Sequence, residues 1–243
     1  MKILQKAFNN HIVNKIVDLG HKPAPKPENE EARLNDLENL KIIEENISKS
    51  KRYSSFPKLA ATLTDCDKAA INIVDETTQH CKVNFGMDAM ENMMTKEIPR
   101  ELSVCAHVLN NDTGSLVIND LTKDDRTKHV FELNNPIINN TFPRFYAGSP
   151  IITSNGYILG SFCVFNSKPK SLDKSKVEGL RMLADQFIDL YESTRSDYQK
   201  GIKDESQSQE KIKGEYYSSS TILFCDFVGF TKKTEKMQPG ELV

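Results

Sequence analysis

Apolar positions near the start of the chain, at Ile3, Leu4, Phe8, Ile12, Val13, Ile16 and Val17, fall on one helical stripe. The segment HKPAPKPENE then stops the helix, because its three prolines lack amide donors and favour extended backbone. The stripe is therefore expected to pack on something other than the next twenty residues, such as a partner chain. From Glu31 onward the periodicity mixes. Leu34, Leu37, Leu40 and Ile43 predict an opening helix, and PKLAATLTDC a second one. AAINIVDE reads as a buried strand ended by charges, and KVNFG as a strand stopped by Gly86. VCAHVL predicts a short helix, GSLVINDL a strand, and DRTKHVFEL a helical or loop excursion. FYAGSPIIT and YILGSFCVFN are strong strand signals, and Ser154, Asn155 and Gly156 between them mark a hairpin turn. This mixture predicts an α+β fold around an antiparallel sheet flanked by helices.

A long helix is expected from Ser171 or Asp173 as N-cap. Its apolar positions Val177, Leu180, Ala184, Phe187, Tyr191, Thr194 and Tyr198 alternate spacings of three and four, which is a heptad seam. For the first two turns, a single helix covering the sheet explains the pattern nearly as well. Beyond Tyr191 a parallel dimeric coiled coil is the better account. GIKDESQSQEKIKG weakens the seam and predicts a frayed or hinge-like stretch. TILFCDFV then returns to a continuous apolar run broken by one acid, as in a central strand.

Composition narrows the function classes. The 243 residues carry a formal net charge of -2, which gives no reason to expect nucleic acid or an anionic membrane surface. No eighteen-residue apolar run is present, and the opening residues lack a signal peptide's apolar core, so neither a membrane span nor secretion is expected. Five cysteines, Cys66, Cys81, Cys105, Cys163 and Cys225, are widely spaced without a CxxC, which fits a reducing cytoplasm.

Asp226 has chemistry of its own to explain. A carboxylate in a buried strand is costly unless it is paired or binds a cation. Gly229 permits a turn, and Thr231 is placed to open a helix whose free amides would hold a phosphate. Mg²⁺ carrying a triphosphate suits that arrangement, and Asp226 merely capping the turn suits it equally. The stretch TILFCDFVGFTKKTEKMQPGELV resembles the opening of class III adenylyl and guanylyl cyclase domains. The resemblance implies that Asp226 would bind Mg²⁺ or Mn²⁺ in an intact cyclase, assisted by the backbone carbonyl of Phe227. It also places Gly229, Phe230 and Thr231 against the triphosphate. The second metal-binding acid, the base-recognition residues and the transition-state Asn and Arg of that family lie further downstream. A fragment with one such acid is expected to be catalytically inactive, with no cofactor of its own.

The segment from Arg33 to about Gln186 resembles a GAF domain. The resemblance rests on RLNDLENLKII, AAINIVDE, Arg100-Glu101 with Ser103 and Cys105-Ala106-His107, VINDLTKDDR, RFYAGSPI and GYILGSFCVFNSKPKSL. Asn166 stands where an Asp is commoner, and His80-Cys81 replaces a frequent aromatic pair. A cyclic-nucleotide signature and a bilin-attachment pattern are not apparent. The resemblance implies a ligand pocket between the sheet and its connecting segments, with Cys105, His107, Asp120, Arg126, Phe145 and Tyr146 as candidates. Each has a purely structural alternative. Cys105 and His107 suit buried packing, Asp120 and Arg126 an internal ion pair or loop clamp, and Phe145 and Tyr146 the sheet core.

These readings give five segments: an amphipathic helix at 1–20, a Pro-rich linker at 21–30, a GAF domain at 31–172, a signalling helix at 173–214 and the start of a cyclase domain at 215–243. The expected function is regulatory. A GAF homodimer would control cAMP or cGMP synthesis through the linker helix, or would serve as a ligand-free dimerisation scaffold.

Overall fold

The antiparallel sheet follows from alternating burial along its strands, which sends successive side chains to opposite faces. The computed structural model describes residues 13–111, 114–135 and 142–208, excepting the side chains of 197–208. Six strands are present: β1 (Lys68–Val74), β2 (Thr78–Phe85), β3 (Glu97–Pro99), β4 (Leu116–Ile118), β5 (Phe145–Ile152) and β6 (Ile158–Asn166). Their order across the sheet is β3-β2-β1-β6-β5-β4, and every neighbouring pair is antiparallel. β5 and β6 form the predicted hairpin, with Gly156 at a φ of 85° in its turn.

Besides the helical stretch at 13–18, the α-helices among the described residues are α1 (Glu30–Leu40), α2 (Lys51–Thr64), α3 (Ala89–Thr95), α4 (Lys128–Glu132) and α5 (Lys174–Ser208). The stretch Cys105–Asn110, expected as a short helix, is a 3-10 helix. One face of the sheet offers Ala69, Ile71, Ile73, Phe145, Ala147, Phe162 and Val164 to a core shared with α1, α2 and α5. The opposite face offers Ala70, Val74, Tyr146 and Cys163 to the Cys105–Asn110 segment and the β4 connections. The sheet is thus a partition between a helical layer and a layer of short segments.

Four features depart from the sequence expectations. Ile16, which was to seek a partner chain, is buried in its own chain against Leu102, Val130, Phe131, Leu133 and Phe142. The seam residues Leu180, Ala184, Phe187 and Tyr191 are buried in the sheet core, so the apolar stripe is filled within the chain as far as Tyr191. At Thr194 the side chain meets Arg52 of the same chain. β2 begins four residues before KVNFG, because the Asp75 carboxylate accepts from Thr77 N at 2.8 Å and Thr78 N at 2.6 Å and so forms the turn. α3 and β3 were not foreseen, and α3 has a full capping box between Asp88 and Glu91. α5 starts as expected, with Asp173 Oδ1 accepting from Lys176 N at 2.9 Å. The segments around Asp226, Phe227, Gly229, Phe230 and Thr231, with Cys225, lie outside the described residues.

Candidate functional site

A cavity of about 360 Å³ opens on the sheet face opposite the long helix. Its floor is polar because strand alternation turns Asn72 of β1 and Tyr146 of β5 toward it while their neighbours enter the helical core. Its walls are mostly apolar, with Met87, Ile98, Leu102, Phe142 and Phe165 among them. Apolar walls around a few converging polar groups are the usual make-up of a small-molecule site.

The floor is a linked set of buried groups. Asn72 is 2% exposed, and its Nδ2 donates to Cys105 Sγ at 3.4 Å and Cys163 Sγ at 3.2 Å. Its Oδ1 is buried without a partner. A buried acceptor left unpaired costs about 1–3 kcal/mol, a cost that a hydrogen-bond donor reaching Asn72 Oδ1 would offset. Tyr146 hydroxyl donates to Cys105 Sγ at 3.4 Å and lies 2.9 Å from Ser161 Oγ. Gly148 makes that pair possible: a Cβ there would come within 2.2 Å of the Tyr146 hydroxyl and 2.4 Å of Ser161 Oγ. To one side, Ser103 Oγ donates to Gln79 Oε1 at 2.5 Å and accepts from Ala106 N at 2.9 Å, fixing the start of the 3-10 segment.

Charge collects elsewhere on the rim. Lys68 pairs with Glu91, whose other oxygen accepts from Asp88 N at 3.0 Å in the α3 capping box. The Arg144 guanidinium lies over the Phe131 ring, 4.4 Å from its centroid. Among the described residues no group of three or more His, Cys, Asp or Glu side chains is arranged to hold a metal ion.

The six candidates from sequence separate. Cys105 and Tyr146 reach the cavity. Phe145 does not, since it sits one residue along β5 and points into the helical core. His107 packs near Arg126; burial, then the charges of Arg126 and His21, hold its pKa down to about 4, and the imidazole is neutral. Asp120 is not the partner of Arg126. It accepts from Thr122 N at 3.1 Å and Thr122 Oγ1 at 2.7 Å, clamping its own loop, and pairs with Lys123. Arg126 instead forks onto Asp124, with Nη2 to Oδ2 at 2.6 Å and Nε to Oδ1 at 2.8 Å. Asn72, Gln79 and Ser103 were missed. Asn72 was readable as the one polar residue inside AAINIV, on the face opposite Ile71 and Ile73.

A second buried network braces the site from outside. Glu30 of α1 accepts from Arg33 Nε at 2.9 Å and Nη2 at 3.0 Å, and also pairs with Arg100. Arg33 donates to Val74 O at 2.7 Å, and Arg100 to Asp75 O at 3.0 Å. Burial opposes the Glu30 carboxylate, but the bonds and charges of both arginines outweigh it and bring the pKa from 4.5 to about 2. Arg100 opens the stretch that leads directly to the cavity wall at Leu102–Cys105.

Comparison with known proteins fits this architecture. A cyclic di-GMP phosphodiesterase of Pseudomonas aeruginosa is 29% identical over 148 residues, covering 60% of this chain and 23% of the relative. The chain thus spans under a quarter of that protein's length. Among solved structures, the blue-light absorbing form of the Thermosynechococcus elongatus PixJ GAF domain superposes with a TM-score of 0.50 at 15% identity. That match covers 70% of this chain and 95% of PixJ's domain, and it carries the fold alone. The GAF domain of an Acinetobacter phosphoenolpyruvate-protein phosphotransferase gives 0.48 at 14% identity, over 69% of this chain and 98% of its own. The GAF family pattern itself matches residues 57–188, from within α2 through all six strands and into α5. With that match over more than half of the sequence, and the fold in agreement, the chain belongs to the GAF domain family.

Proposed function

We propose that this GAF domain is the sensor of a larger signalling protein and takes a small molecule in the cavity above Asn72. The carrying observation is the unpartnered Asn72 Oδ1, buried at the polar floor of a cavity whose walls are mostly apolar. The ligand presents an N–H or O–H to that oxygen and an apolar body to Met87, Leu102 and Phe165. Native mass spectrometry of the purified chain should find a co-purifying mass. The released compound should raise the melting temperature of the wild type but not of Asn72→Leu, because only a ligand that binds the folded state stabilises it. The absence of both effects would favour the scaffold reading.

The output in this proposal is a cyclic nucleotide. The resemblance of residues 215–243 to the opening of a class III cyclase supports synthesis of cAMP or cGMP. Asp226, Phe227 and the Gly229–Thr231 turn would then engage Mg²⁺ or Mn²⁺ and the triphosphate. The similarity to a cyclic di-GMP phosphodiesterase supports a signalling role without carrying that reaction over. A chain extended beyond Val243 and assayed with ATP and GTP separates these outputs. Control would pass through α5 in a cytoplasmic homodimer. Leu59 and Leu63 of α2 and Met182 of α5 support dimerisation, being 54%, 42% and 63% exposed. They form one patch, since Leu63 abuts Gly179, one helical turn from Met182. Among the described residues no helix is long and apolar enough to cross a membrane.

A further inference from the structure

Three of the four described cysteines, Cys81, Cys105 and Cys163, lie on the cavity side of the sheet. Ligand recognition at Asn72 leaves two of them with unused chemistry. Cys105 lines the cavity on the 3-10 segment, while Cys163 sits behind it on central strand β6 with no exposed surface. Their sulfurs are 3.9 Å apart. A disulfide measures about 2.05 Å, so roughly 2 Å remains to be closed. The shorter, more weakly bonded 3-10 segment is the side free to close it.

The two thiols have different surroundings. Burial alone would raise the pKa of Cys105, but hydrogen bonds from Cys163, Tyr146, Asn72 and Ser161 outweigh it and bring that thiol below its ordinary value. Burial and the neighbouring Cys105 push Cys163 well above its own. Burial likewise raises Cys66, and takes Cys81 to about 11. Cys105 is therefore the described cysteine equipped to be a nucleophile, with a protonated thiol in reach behind it.

We propose that Cys105 and Cys163 form a reversible redox pair in the cavity wall, oxidised by hydrogen peroxide that enters through the cavity. The Cys105 thiolate attacks one peroxide oxygen. The S–O bond forms, the O–O bond breaks, and the hydroxide that leaves takes up the proton the thiol gave up. Cys163 Sγ then attacks Cys105 Sγ. The S–S bond forms, the S–O bond breaks, and the hydroxyl leaves with the Cys163 proton as water. Two thiols and one peroxide become one disulfide and two waters, and a small thiol reductant reverses the change. Peroxide is the oxidant class that fits: Cys105 is 2% exposed, which shuts out a bulky disulfide, and peroxide carries an O–H for Asn72 Oδ1. The pair needs no bound ligand, so it stands or falls separately from the sensor reading.

The test uses the whole chain, fully reduced and treated with equimolar hydrogen peroxide, then denatured and alkylated. Peptide mapping should join the Cys105 and Cys163 peptides and leave Cys66 alkylated. Cys163→Ser should hold Cys105 as a sulfenic acid trapped by dimedone, and Cys105→Ser should leave Cys163 reduced. Tyr146→Phe retains both thiols and removes one donor, so disulfide formation should slow about three- to tenfold. That variant and the wild-type mapping decide the matter even if a cysteine substitution fails to fold. The proposal is overturned if oxidation falls first on Cys66 or Cys81, if Cys105 passes to sulfinic acid unlinked, or if Tyr146→Phe reacts at the wild-type rate.

Discussion

Glu30→Gln removes the one carboxylate that both Arg33 and Arg100 share. Arg33 is 1% exposed, and the Arg100 side chain 6%. The amide keeps the shape but leaves two buried guanidinium groups without a counter-charge and with one acceptor oxygen fewer. Stripping one partner from a buried ion pair costs about 3–5 kcal/mol. Titration gives an independent figure. The Glu30 pKa falls from 4.5 to about 2, so folding favours the ionised form. Its stabilisation is fully present above the unfolded value and is lost as pH falls through the folded one. The shift amounts to roughly 3.4 kcal/mol at neutral pH and about 1.4 kcal/mol at pH 3. With the Glu30 side chain 13% exposed, solvent screening trims this only modestly, to about 3 kcal/mol at neutral pH. For an m-value of about 2 kcal/mol/M, the urea midpoint should drop by about 1.5 M at pH 7. At pH 3 the penalty should be less than half as large. A drop below about 0.5 M at pH 7, or an equal drop at both pH values, would show that Glu30 does not carry the two buried arginines.

Gly148→Ala drives a Cβ into the Tyr146–Ser161 hydroxyl pair and should cost about 1–3 kcal/mol, read by thermal unfolding. His107, with its pKa held down to about 4 against an ordinary 6.5, contributes stability above pH 6.5 that is lost as pH falls toward 4. His107→Gln should flatten the stability profile across that window and leave the lower Glu30 window in place. Light scattering after size exclusion should show a dimer for the wild type and monomers for Met182→Glu and Leu63→Glu. A monomeric wild type would sink the proposed dimer.

The parts of the fold legible in the sequence were those whose residues satisfy local and tertiary demands together. The β5–β6 hairpin carries its own turn at Gly156, and α5 its own cap at Asp173. The apolar stripe Leu180–Tyr191 was equally visible, but periodicity does not say whether a partner helix or the chain's own sheet will cover it. The structure gives the sheet. α3 lacks an apolar period because it mostly caps the cavity rim, yet its Asp88-Glu91 capping box was open to reading. The site was less legible for a geometric reason. Sequence likeness singled out Phe145 and Tyr146 together, but strand alternation sends adjacent residues to opposite faces. Arg126 pairs two residues back rather than six, since the bend at Asp124 brings that carboxylate to the guanidinium.

The same alternation gives the proposed events in the cavity a physical route toward α5. Cys163 lies on the cavity side of the sheet behind Cys105, while Phe162 and Val164 on either side of it belong to the core that holds Leu180, Ala184 and Phe187. β6 is central, bonded to β1 along one edge and to β5 along the other, so it cannot shift alone. Interiors are packed too densely to absorb displacement gradually, and a movement on one face must be taken up on the other. A ligand donor on Asn72 Oδ1 and a bond drawn between Cys105 and Cys163, as proposed, would both bear on Asn72, whose Nδ2 contacts both sulfurs. Drawing the two sulfurs together would require the Asn72 Nδ2 contacts to re-form, and so would bear on β1 and β6, whose alternate residues enter the helix-side core. Were the proposed ligand and the proposed disulfide both to act through Asn72, linkage would make them reciprocal at equilibrium: the compound would shift the reduction potential of the Cys105–Cys163 pair by the same free energy by which the joined pair shifts the compound's affinity.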